Sequence, residues 1–329
     1  MPRIGLSLPN RAVLFGVSPQ TLLESAETAD ASGLFDSVWV GDNFLSKPRL
    51  EAIVTLSAIA ARTKRVRLGV VCLASFIMRS PLLLALQWGS LDVLSGGRTV
   101  LAVCLGGKST WSPQYAAELA ASGVKDDERI GRLVEGIAAL RALWGPEEVT
   151  NLSGRYVQLE NVRFAPKPAQ ERIPIVIATN PRGDAAIEEK ALRRVARIAD
   201  GWQVDVAAPH VFRERWTRIR AFAAEYGRER EVTESSVHLM VNINDDERRA
   251  REESVEFLNH YYGAGLLGPE RLETWLAVGS PATVIARIQS YLDAGCTTPI
   301  LRFVSPDQAG QLRRCIDEVL PALAKKAAA

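Results

Sequence analysis

The chain has 329 residues, of which 47% are hydrophobic, and its 40 basic and 38 acidic side chains leave a formal charge of +2. This length allows one large barrel or two ordinary domains, with ample core in either case. The near balance of charge gives no net field that would hold nucleic acid or an anionic membrane. No apolar run approaches the roughly eighteen residues of a membrane span, so no membrane association is predicted.

The cysteines and histidines give no sign of a disulfide framework or of a metal centre. No CxxC pair occurs among the four scattered cysteines, which are Cys72, Cys104, Cys296 and Cys315. This usage is typical of reduced core residues in a cytoplasmic protein. No metal site is expected either, because ligand spacing is absent among the three histidines, which are His210, His238 and His260.

The first part of the chain alternates short apolar runs with stretches of helical spacing. In chain order the predicted elements are a strand at 3–9, a helix at 19–32, a strand at 37–41, a helix at 50–62, a strand at 66–73, a helix from Pro81, a strand at 98–105 and a helix at 127–144. The run at 66–73 is almost continuously apolar, which is typical of a parallel strand buried on both faces.

The middle of the chain interrupts this alternation of strands and helices. Residues 148–160 alternate between apolar and polar side chains on both sides of Ser153-Gly154, which predicts a β-hairpin. The rhythm then resumes with a strand at 173–179, a helix at 184–199, a strand at 200–205, a helix at 209–226, a strand at 236–243, helices at 245–258 and 281–294, a strand at 298–304 and a helix at 307–323. Eight strands alternating with helices, without a boundary linker, predict one α/β domain over residues 1–329, a (β/α)8 TIM barrel with a hairpin before its fifth strand. A doubly wound sheet is the alternative, although no GxGxxG follows the first strand.

The second predicted strand ends abruptly at Gly41, Asp42 and Asn43. These are common turn residues, so a plain surface turn would explain them. In a (β/α)8 barrel, however, the active site is built at the C-terminal ends of the strands. Asp42 and Asn43 are therefore the candidate catalytic residues.

Several stretches together resemble the bacterial luciferase-like family of flavin- and deazaflavin-dependent oxidoreductases. They follow the family's order along nearly the whole chain: DSVWVGDNF, TKRVRLGVVCL, SPLLLALQWGSLDVLSGGRTVLAV, ERIGRLVEGIAALRALW, GRYVQLENVRFAPKP, IPIVIAT, ARIADGW and GSPATVIARIQSYLDAG. The resemblance implies a barrel with a large insertion after the fourth strand. It also implies that coenzyme F420, or alternatively flavin mononucleotide (FMN), binds at the strand C-termini.

The resemblance implies cofactor contacts at the ends of the third and fourth strands. It implies a non-prolyl cis peptide between Val71 and Cys72 that bulges against the central ring of the cofactor. Gly106 and Gly107 would let the backbone approach a ring or a phosphate closely. A plain trans strand and a simple loop are the alternatives at these two places.

A third implied contact lies at the end of the fifth strand, at Ala178, Thr179 and Asn180. The family places the cofactor phosphate there, and a helix N-terminus with free N–H groups favours an anion. Arg182 could add charge to the same loop. An ordinary capped turn is the alternative.

The chain departs from the family where proton transfer would take place. Many deazaflavin relatives have histidine at the position of Asn43, and asparagine can orient a carbonyl or the cofactor but cannot transfer a proton. The sugar-phosphate dehydrogenases of the family also carry an acid near the position of Gly107, so this chain lacks two residues of their hydroxyl-oxidising chemistry. The candidate proton donors that remain are Asp42, Lys108, Ser109 and Tyr115.

The insertion and the second strand end supply candidate substrate contacts. Phe44, Trp111 and Tyr115 could stack on a substrate, although a mobile lid without chemistry would also explain the insertion. The leading hypothesis is an enzyme that moves a hydride between F420 and a small organic substrate. The alternatives are an FMN-dependent monooxygenase of the same family and a catalytically silent flavin-binding barrel. In the family the early helices commonly form a dimer, so the apolar helix at 50–62 predicts a homodimer.

Overall fold

The computed structural model describes residues 2–180, 184–263, 265 and 267–328. Within these residues the strands are β1 (Gly5–Ser7), β2 (Ser37–Val40), β3 (Arg67–Val70), β4 (Thr99–Val103), β5 (Thr150–Ser153), β6 (Gln158–Val162), β7 (Ile175–Ala178), β8 (Gly201–Val204), β9 (Glu234–Ile243), β10 (Leu276–Gly279) and β11 (Thr298–Phe303). The helices of the same part are α1 (Pro19–Ser32), α2 (Ala52–Arg62), α3 (Pro81–Ser95), α4 (Pro113–Ala121), α5 (Arg129–Trp144), α6 (Ala185–Ile198), α7 (Pro209–Glu225), α8 (Glu247–Tyr262), α9 (Pro269–Trp275), α10 (Pro281–Asp293), α11 (Gln308–Arg314) and α12 (Leu320–Ala328).

Eight of the strands close a parallel barrel surrounded by helices. Hydrogen-bonded neighbours run in the order β9, β11, β1, β2, β3, β4, β7, β8 and back to β9. Every residue of β2, β4, β8 and β11 is buried, as expected for parallel strands covered by helices on one side and by the barrel interior on the other. The predicted (β/α)8 fold is confirmed.

Side chains of β2, β3 and β9 occupy the barrel interior. The Trp39 ring lies against the α-carbons of Gly5 and Gly69 on the two neighbouring strands, where any Cβ would collide with it. Arg67 of β3 reaches Glu234 of β9 with an Nη2–Oε1 distance of 3.4 Å, although these strands are not neighbours. Glu234 therefore points into the barrel, and the alternation of side chains along a strand puts His238 on the same face.

The helices begin where the sequence provides a cap. Ser18, Ser80 and Ser280 each accept a hydrogen bond from a backbone N–H of the first helical turn, and proline occupies the start of each of these helices. A serine cap stabilises a helix by about 1 kcal/mol. These caps fix where the chain turns from a strand into the outer layer of helices.

Three segments lie outside the simple alternation. The antiparallel pair of β5 and β6 confirms the predicted hairpin, and α4 forms part of the predicted insertion after β4. A second excursion follows β9: α8 matches the helix predicted at 245–258, whereas α9 and β10 were not predicted. There β10 adds to the edge of β9 outside the barrel, because a small second core around Trp275 supports it.

Candidate active site

The end of β2 is fixed by Asn10, which follows β1. Its side-chain amide donates to Gly41 O at 2.8 Å and to Leu50 O at 3.0 Å, and its Oδ1 accepts from Gly41 N at 3.1 Å. The Arg49 guanidinium lies against the α-carbon of Gly41, where a Cβ would collide with Nη1. Glycine at this position therefore lets a cation come close to the strand end.

Asp42 is 4% exposed, and its carboxylate faces the loop after β3. Its Oδ2 accepts from Ser75 N at 2.8 Å and from Ser75 Oγ at 2.6 Å, and its Oδ1 accepts from Arg79 Nη2 at 3.2 Å. Burial raises the pKa of Asp42, while the Arg79 charge and the Ser75 hydrogen bonds act in the opposite direction. The carboxylate thus joins the end of β2 to the segment that follows β3.

Asn43 and Phe44 continue the chain across the mouth of the barrel. The Asn43 side-chain amide donates to Ser46 Oγ at 3.0 Å and its Oδ1 accepts from Arg49 Nη2 at 3.3 Å. The Phe44 ring is partly exposed and lies 5.1 Å from the Arg79 guanidinium carbon. The Asn43 side chain is therefore anchored within the loop between β2 and α2, whereas the Phe44 ring contacts the segment that follows β3.

The predicted cis peptide is present between Val71 and Cys72, directly after β3. Cys72 also forms a disulfide with Cys104, with the two Cα atoms 6.1 Å apart. The expectation of four reduced cysteines is therefore wrong for this pair. The reason is topological: β3 and β4 are adjacent, so the residues that follow them lie side by side despite a sequence separation of 32. Cys296 and Cys315 are free and buried.

The two glycines after β4 have different surroundings. Gly106 has a φ of 64°, and a Cβ there would lie 2.7 Å from Ala74 O, so the close contact with the loop after β3 requires glycine. Arg129 Nη2 donates to Gly106 O at 2.6 Å and holds this loop from α5. The α-carbon of Gly107, in contrast, is already covered by the Tyr115 ring.

The insertion after β4 packs on the loop after β2. The Glu118 carboxylate is buried and accepts from the backbone N–H groups of residues 44–46 at 3.4, 3.1 and 2.7 Å. Trp111 is 61% exposed and meets Tyr115 edge to face at 5.9 Å. Burial raises the pKa of Tyr115. Sequence reasoning missed Glu118, because nothing in its spacing connects it to a segment some seventy residues earlier.

The end of β7 is tied to β8. Thr179 N donates to Gln203 O at 3.0 Å, and the Asn180 amide donates to a backbone carbonyl after β8 at 2.7 Å. Ala178, the last residue of β7, is half-buried. Arg182, which was expected to add charge here, lies outside the described residues.

The sequence motifs gave no indication of three polar groups that lie inside the barrel. Gln203 Nε2, His238 Nε2 and Arg302 Nη2 are buried and have no hydrogen-bond partner. Burial, assisted by the charges of Arg302 and Arg49, lowers the pKa of His238 to about 3, so its imidazole is neutral at physiological pH. Buried polar groups without a partner are uncommon in proteins and point to a missing hydrogen-bonding partner.

Five cations gather at one side of the mouth. This cationic cluster consists of Arg11, Lys47, Arg49, Arg271 and Arg302. Lys47 Nζ lies 4.6 Å from the centre of the Tyr262 ring, and Arg11 and Arg302 each have their guanidinium carbon 5.4 Å from the centre of the Tyr261 ring. Burial, followed by the charges of Arg49 and Arg271, lowers the pKa of Lys47 to about 8.

The charge of this cluster is poorly compensated. Among the described residues the carboxylate that pairs with it is Asp205, whose Oδ2 lies 3.2 Å from Arg271 Nη2. Contacts with aromatic rings stabilise a desolvated cation by about 2 kcal/mol, whereas burying an ion costs several kcal/mol. Arg302 is buried and the other four cations are partly exposed, so the rings offset only part of the cost of desolvating the cluster.

The candidate residues thus occupy two halves of the mouth. The cis peptide, Gly106 and Thr179 lie at the ends of β3, β4 and β7, which are consecutive in the barrel. The cationic cluster lies at β11, at the loops after β1 and β2, and in α9. Asp42 connects the two halves through Ser75.

A family model described as luciferase-like monooxygenase matches residues 3–298. The chain belongs to this family. The family assignment made from the sequence motifs is confirmed. The luciferase-like chain is 29% identical to a protein of Amycolatopsis mediterranei named F420-dependent glucose-6-phosphate dehydrogenase, over 93% of this chain and 95% of that protein.

Solved structures show the same fold in other luciferase-like proteins. An F420-dependent secondary alcohol dehydrogenase in complex with an F420–acetone adduct has a TM-score of 0.82 and 19% identity, covering 98% of this chain and 99% of that one. The monooxygenase RslO1 of Streptomyces bottropensis has a TM-score of 0.79 and 20% identity, covering 97% of this chain and 99% of that one. At these identities the likeness concerns the fold.

Two further properties of this luciferase-like chain concern the described residues only. None of their helices combines the length and the apolar character that crossing a bilayer requires. They also contain no group of three or more His, Cys, Asp or Glu side chains arranged to hold a metal ion.

Proposed function

We propose that the chain is an oxidoreductase that transfers a hydride between coenzyme F420 and a small organic substrate. The proposal is supported by the relative named as an F420-dependent dehydrogenase, which is similar over nearly the full length of both chains. The observation that carries it in the structure is the pair of unpartnered buried polar atoms inside the barrel, Gln203 Nε2 and His238 Nε2. A deazaflavin ring offers carbonyl and ring-nitrogen groups that could satisfy such atoms.

The residues at β3, β4 and β7 fit the cofactor. In this proposal Val71 and Cys72 support the ring, Gly106 and Gly107 provide backbone close to it, and Ala178, Thr179 and Asn180 hold its phosphate or tail. When bound, the cofactor would supply the ring carbon that donates or accepts the hydride. The protein itself would position the substrate and exclude water from the reacting atoms.

The loop after β2 would position the substrate. We propose that Asn43 orients the reacting group through its amide and that Asp42 acts by fixing the segment after β3. Phe44, Trp111 and Tyr115 would contact the substrate from the side of the insertion. Hydride transfer requires the two reacting carbons to be held about 3 to 3.5 Å apart, so small displacements of this loop would lower the rate strongly.

Cofactor binding is the direct test. The purified protein is titrated into F420 and, separately, into FMN, while the fluorescence of each cofactor is followed. We expect quenching of F420 at micromolar protein and no saturable change with FMN. Saturable binding of FMN without binding of F420 would replace this proposal with an FMN-dependent monooxygenase. Binding of F420 without turnover of any alcohol or carbonyl substrate would favour a silent binding barrel.

We also propose a homodimer, supported by an apolar surface on the early helices. Several large hydrophobic side chains of α2 and α3 are exposed: Val54, Leu82, Leu83, Leu86, Val93 and Leu94. These two helices pack against each other, and five of the six exposed side chains belong to α3. Large exposed apolar side chains gathered on adjoining helices typically mark a protein interface.

Two further proposals concern organisation and location. One domain over residues 1–329 is supported by one large buried cluster whose members run from Ile4 to Leu323. A cytoplasmic location is supported by the free, buried thiols of Cys296 and Cys315. The disulfide at Cys72 argues the other way.

A further inference from the structure

We propose that the Lys47 side chain moves the proton that accompanies the hydride. Its amine accepts the proton of a substrate hydroxyl, and its ammonium donates a proton to a substrate carbonyl oxygen. The inference rests on the proposed function, because it names the acid–base group of the same site. Asn43, on the same loop, cannot exchange a proton at neutral pH, so the reaction needs such a group from another residue.

The position of Lys47 is the first argument. Lys47 follows β2, and β8 lies four strands away from β2 in both directions around the barrel, directly across the mouth. The charge of Asp205, which follows β8, nevertheless acts on the Lys47 ammonium. Charges from two further directions, Arg11 after β1 and Arg271 in α9, act on it as well. Lys47 Nζ also lies 4.6 Å from the centre of the Tyr262 ring, whose hydroxyl stays neutral because burial raises its pKa. The side chain therefore reaches over the mouth, where a substrate would lie against the cofactor.

The second argument is that the Lys47 amine is free to exchange a proton. None of the described residues accepts a hydrogen bond from Nζ, and the side chain is half-buried, so it can exchange its proton with water. Burial, followed by the charges of Arg49 and Arg271, lowers the pKa of Lys47 to about 8. Asp205 acts in the opposite direction, and Arg11 adds to the decrease. An acid–base group is most effective when its pKa lies close to the working pH.

Other titratable groups of the mouth are less suited to this role. The Asp42 carboxylate already accepts hydrogen bonds from Ser75 and Arg79 and is 4% exposed. Burial raises the pKa of Tyr115, so its hydroxyl keeps its proton. The pKa of His238 is lowered to about 3, so its imidazole is a weak base.

The remaining candidates belong to the insertion and are engaged at its surface. The Ser109 hydroxyl donates to the Asp126 carboxylate. The charge of Lys108, which is exposed, acts on the same carboxylate. Lys47 is therefore the group of the loops around the mouth that combines a suitable position with an exchangeable proton.

The backbone at Lys47 is fixed on both sides, which places the amine for proton transfer. Ser46 N donates to Glu118 Oε2 at 2.7 Å, and Lys47 O accepts from Arg49 Nε at 3.0 Å. In alcohol oxidation the hydroxyl proton passes to the Lys47 amine while the carbon–hydrogen bond breaks, and its electron pair leaves with the hydride that the oxidised cofactor accepts. A carbonyl and an ammonium remain, and the ammonium then releases its proton to water. Carbonyl reduction is the same step in reverse.

The first measurement uses the protein without cofactor. Trace acetic anhydride labels the lysines between about pH 6 and 11, with Nα-acetyl-lysine amide in the same tube as an unperturbed reference. Mass spectrometry reads the peptide that contains Lys47. We expect Lys47 to reach half of its maximal reactivity near pH 8, well below the reference. A midpoint equal to that of the reference would overturn the proposal, because the amine would then stay protonated at the working pH.

The second measurement compares turnover of the wild type with that of Lys47→Arg and Lys47→Met. F420 is the cofactor, and isopropanol, glucose and glucose 6-phosphate are the probe substrates. Arginine keeps the charge but stays protonated, so we expect kcat for alcohol oxidation to fall at least about a hundredfold in both variants, while KM in Lys47→Arg changes little. The wild-type rate should rise with pH through about pH 8 as the amine loses its proton, and both variants should lack this rise. Lys64→Met, which changes an exposed lysine between α2 and β3 at the other end of the barrel, is the control and should behave like the wild type.

The outcomes separate this proposal from the proposed function. Wild-type kcat in Lys47→Arg with a raised KM in Lys47→Met would assign Lys47 to substrate binding and overturn the proposal. Fluorescence titration measures the affinity of each variant for F420, and equal losses of F420 affinity and of kcat would overturn the proposal in favour of a cofactor contact. Absence of F420 reduction by the wild type with all three probes would refute the proposed function and this inference together. Wild-type turnover that Lys47→Arg retains would refute the inference alone.

Discussion

At the scale of single residues, the mouth of the barrel contains charges buried at a cost to stability. Lys47 and His238 have pKa values lowered to about 8 and about 3 because burial and neighbouring cations disfavour their charged forms. Asp42 has its pKa raised by burial. Such groups persist in natural proteins where function needs them, since other side chains would be more stable at the same positions.

Lys47→Met should stabilise the protein without ligand at pH 7. The pKa of Lys47 is lowered from 10.5 to about 8, so the unfolded chain binds more protons than the folded one between these values, and the penalty is full below pH 8. The shift corresponds to about 3 kcal/mol. We therefore expect the variant to be more stable than the wild type in urea unfolding at pH 7, with the difference shrinking between pH 8 and 10.5. A constant difference across that range would contradict the buried charge of Lys47.

His238→Gln should remove part of the acid sensitivity of the fold. The unfolded imidazole titrates near 6.5 and the folded one at about 3, so protonation favours the unfolded chain as the pH falls through this window. We expect the wild type to lose stability between pH 6.5 and 4 more steeply than the variant, as followed by thermal melts. Parallel curves for the two proteins would show that His238 takes up its proton in the folded state as well.

Asp42→Ala should lower stability as well as activity. The substitution leaves both Ser75 donors without their acceptor and removes one of the two carboxylates that pair with Arg79 Nη2, which keeps Glu51. Breaking a buried pair costs about 3 kcal/mol. Urea unfolding measures this loss. Asp245→Ala is the matched control, because Asp245 is an exposed carboxylate that pairs with Arg314, and surface pairs contribute about 0 to 1 kcal/mol. Equal stability of the two variants would show that the Asp42 contacts do not hold the site together.

At the scale of elements, the same type of hydrogen-bonded contact between a helix and a loop occurs at three places. A helical carboxylate accepts hydrogen bonds from consecutive backbone N–H groups of a distant loop: Asp30 of α1 binds residues 64–66, Glu118 of α4 binds residues 44–46, and Glu135 of α5 binds residues 155–157. Each contact ties a loop to the helix layer. The Glu118 contact is the one that controls the candidate substrate loop.

Glu118→Ala should loosen the loop after β2 while leaving the barrel folded. The three N–H groups of residues 44–46 would lose their acceptor, so we expect faster amide hydrogen exchange there and weaker substrate binding. Glu135→Ala is a matched control, because it frees the turn between β5 and β6 and leaves the mouth unchanged. Unaltered exchange at 44–46 in Glu118→Ala would show that the loop holds its conformation without the insertion.

Periodicity predicts the elements of this fold better than it predicts their contacts. The eight barrel strands and the hairpin follow from apolar runs and turn residues, since these are local properties. The pairing of Cys72 with Cys104, the anchoring by Glu118 and the gathering of Lys47, Arg271 and Arg302 depend on barrel closure. Such contacts join residues far apart in the chain, and no spacing within one sequence encodes them.

At the scale of the whole molecule, the apolar surface of α2 and α3 predicts a dimer. Leu83→Arg should place a charge in the interface and yield a monomer by light scattering at micromolar concentration. Ile187→Arg, which changes another exposed apolar residue on α6, should keep the mass of the wild type. A wild-type protein that is monomeric over this range would refute the dimer.

The two halves of the mouth are built from different stretches of the chain. The cationic cluster draws on residues 11–49 and 271–302, with aromatic side chains from the end of α8. The backbone segments assigned to the cofactor fall between 71 and 180, and the buried polar groups assigned to its ring, Gln203 and His238, lie outside the two stretches of the cluster. Sequence changes in the outer stretches can therefore alter which molecule enters the barrel without disturbing the middle one. For protein engineering, this separation suggests libraries confined to the loop after β2 and to α9, in which every member keeps the same cofactor chemistry.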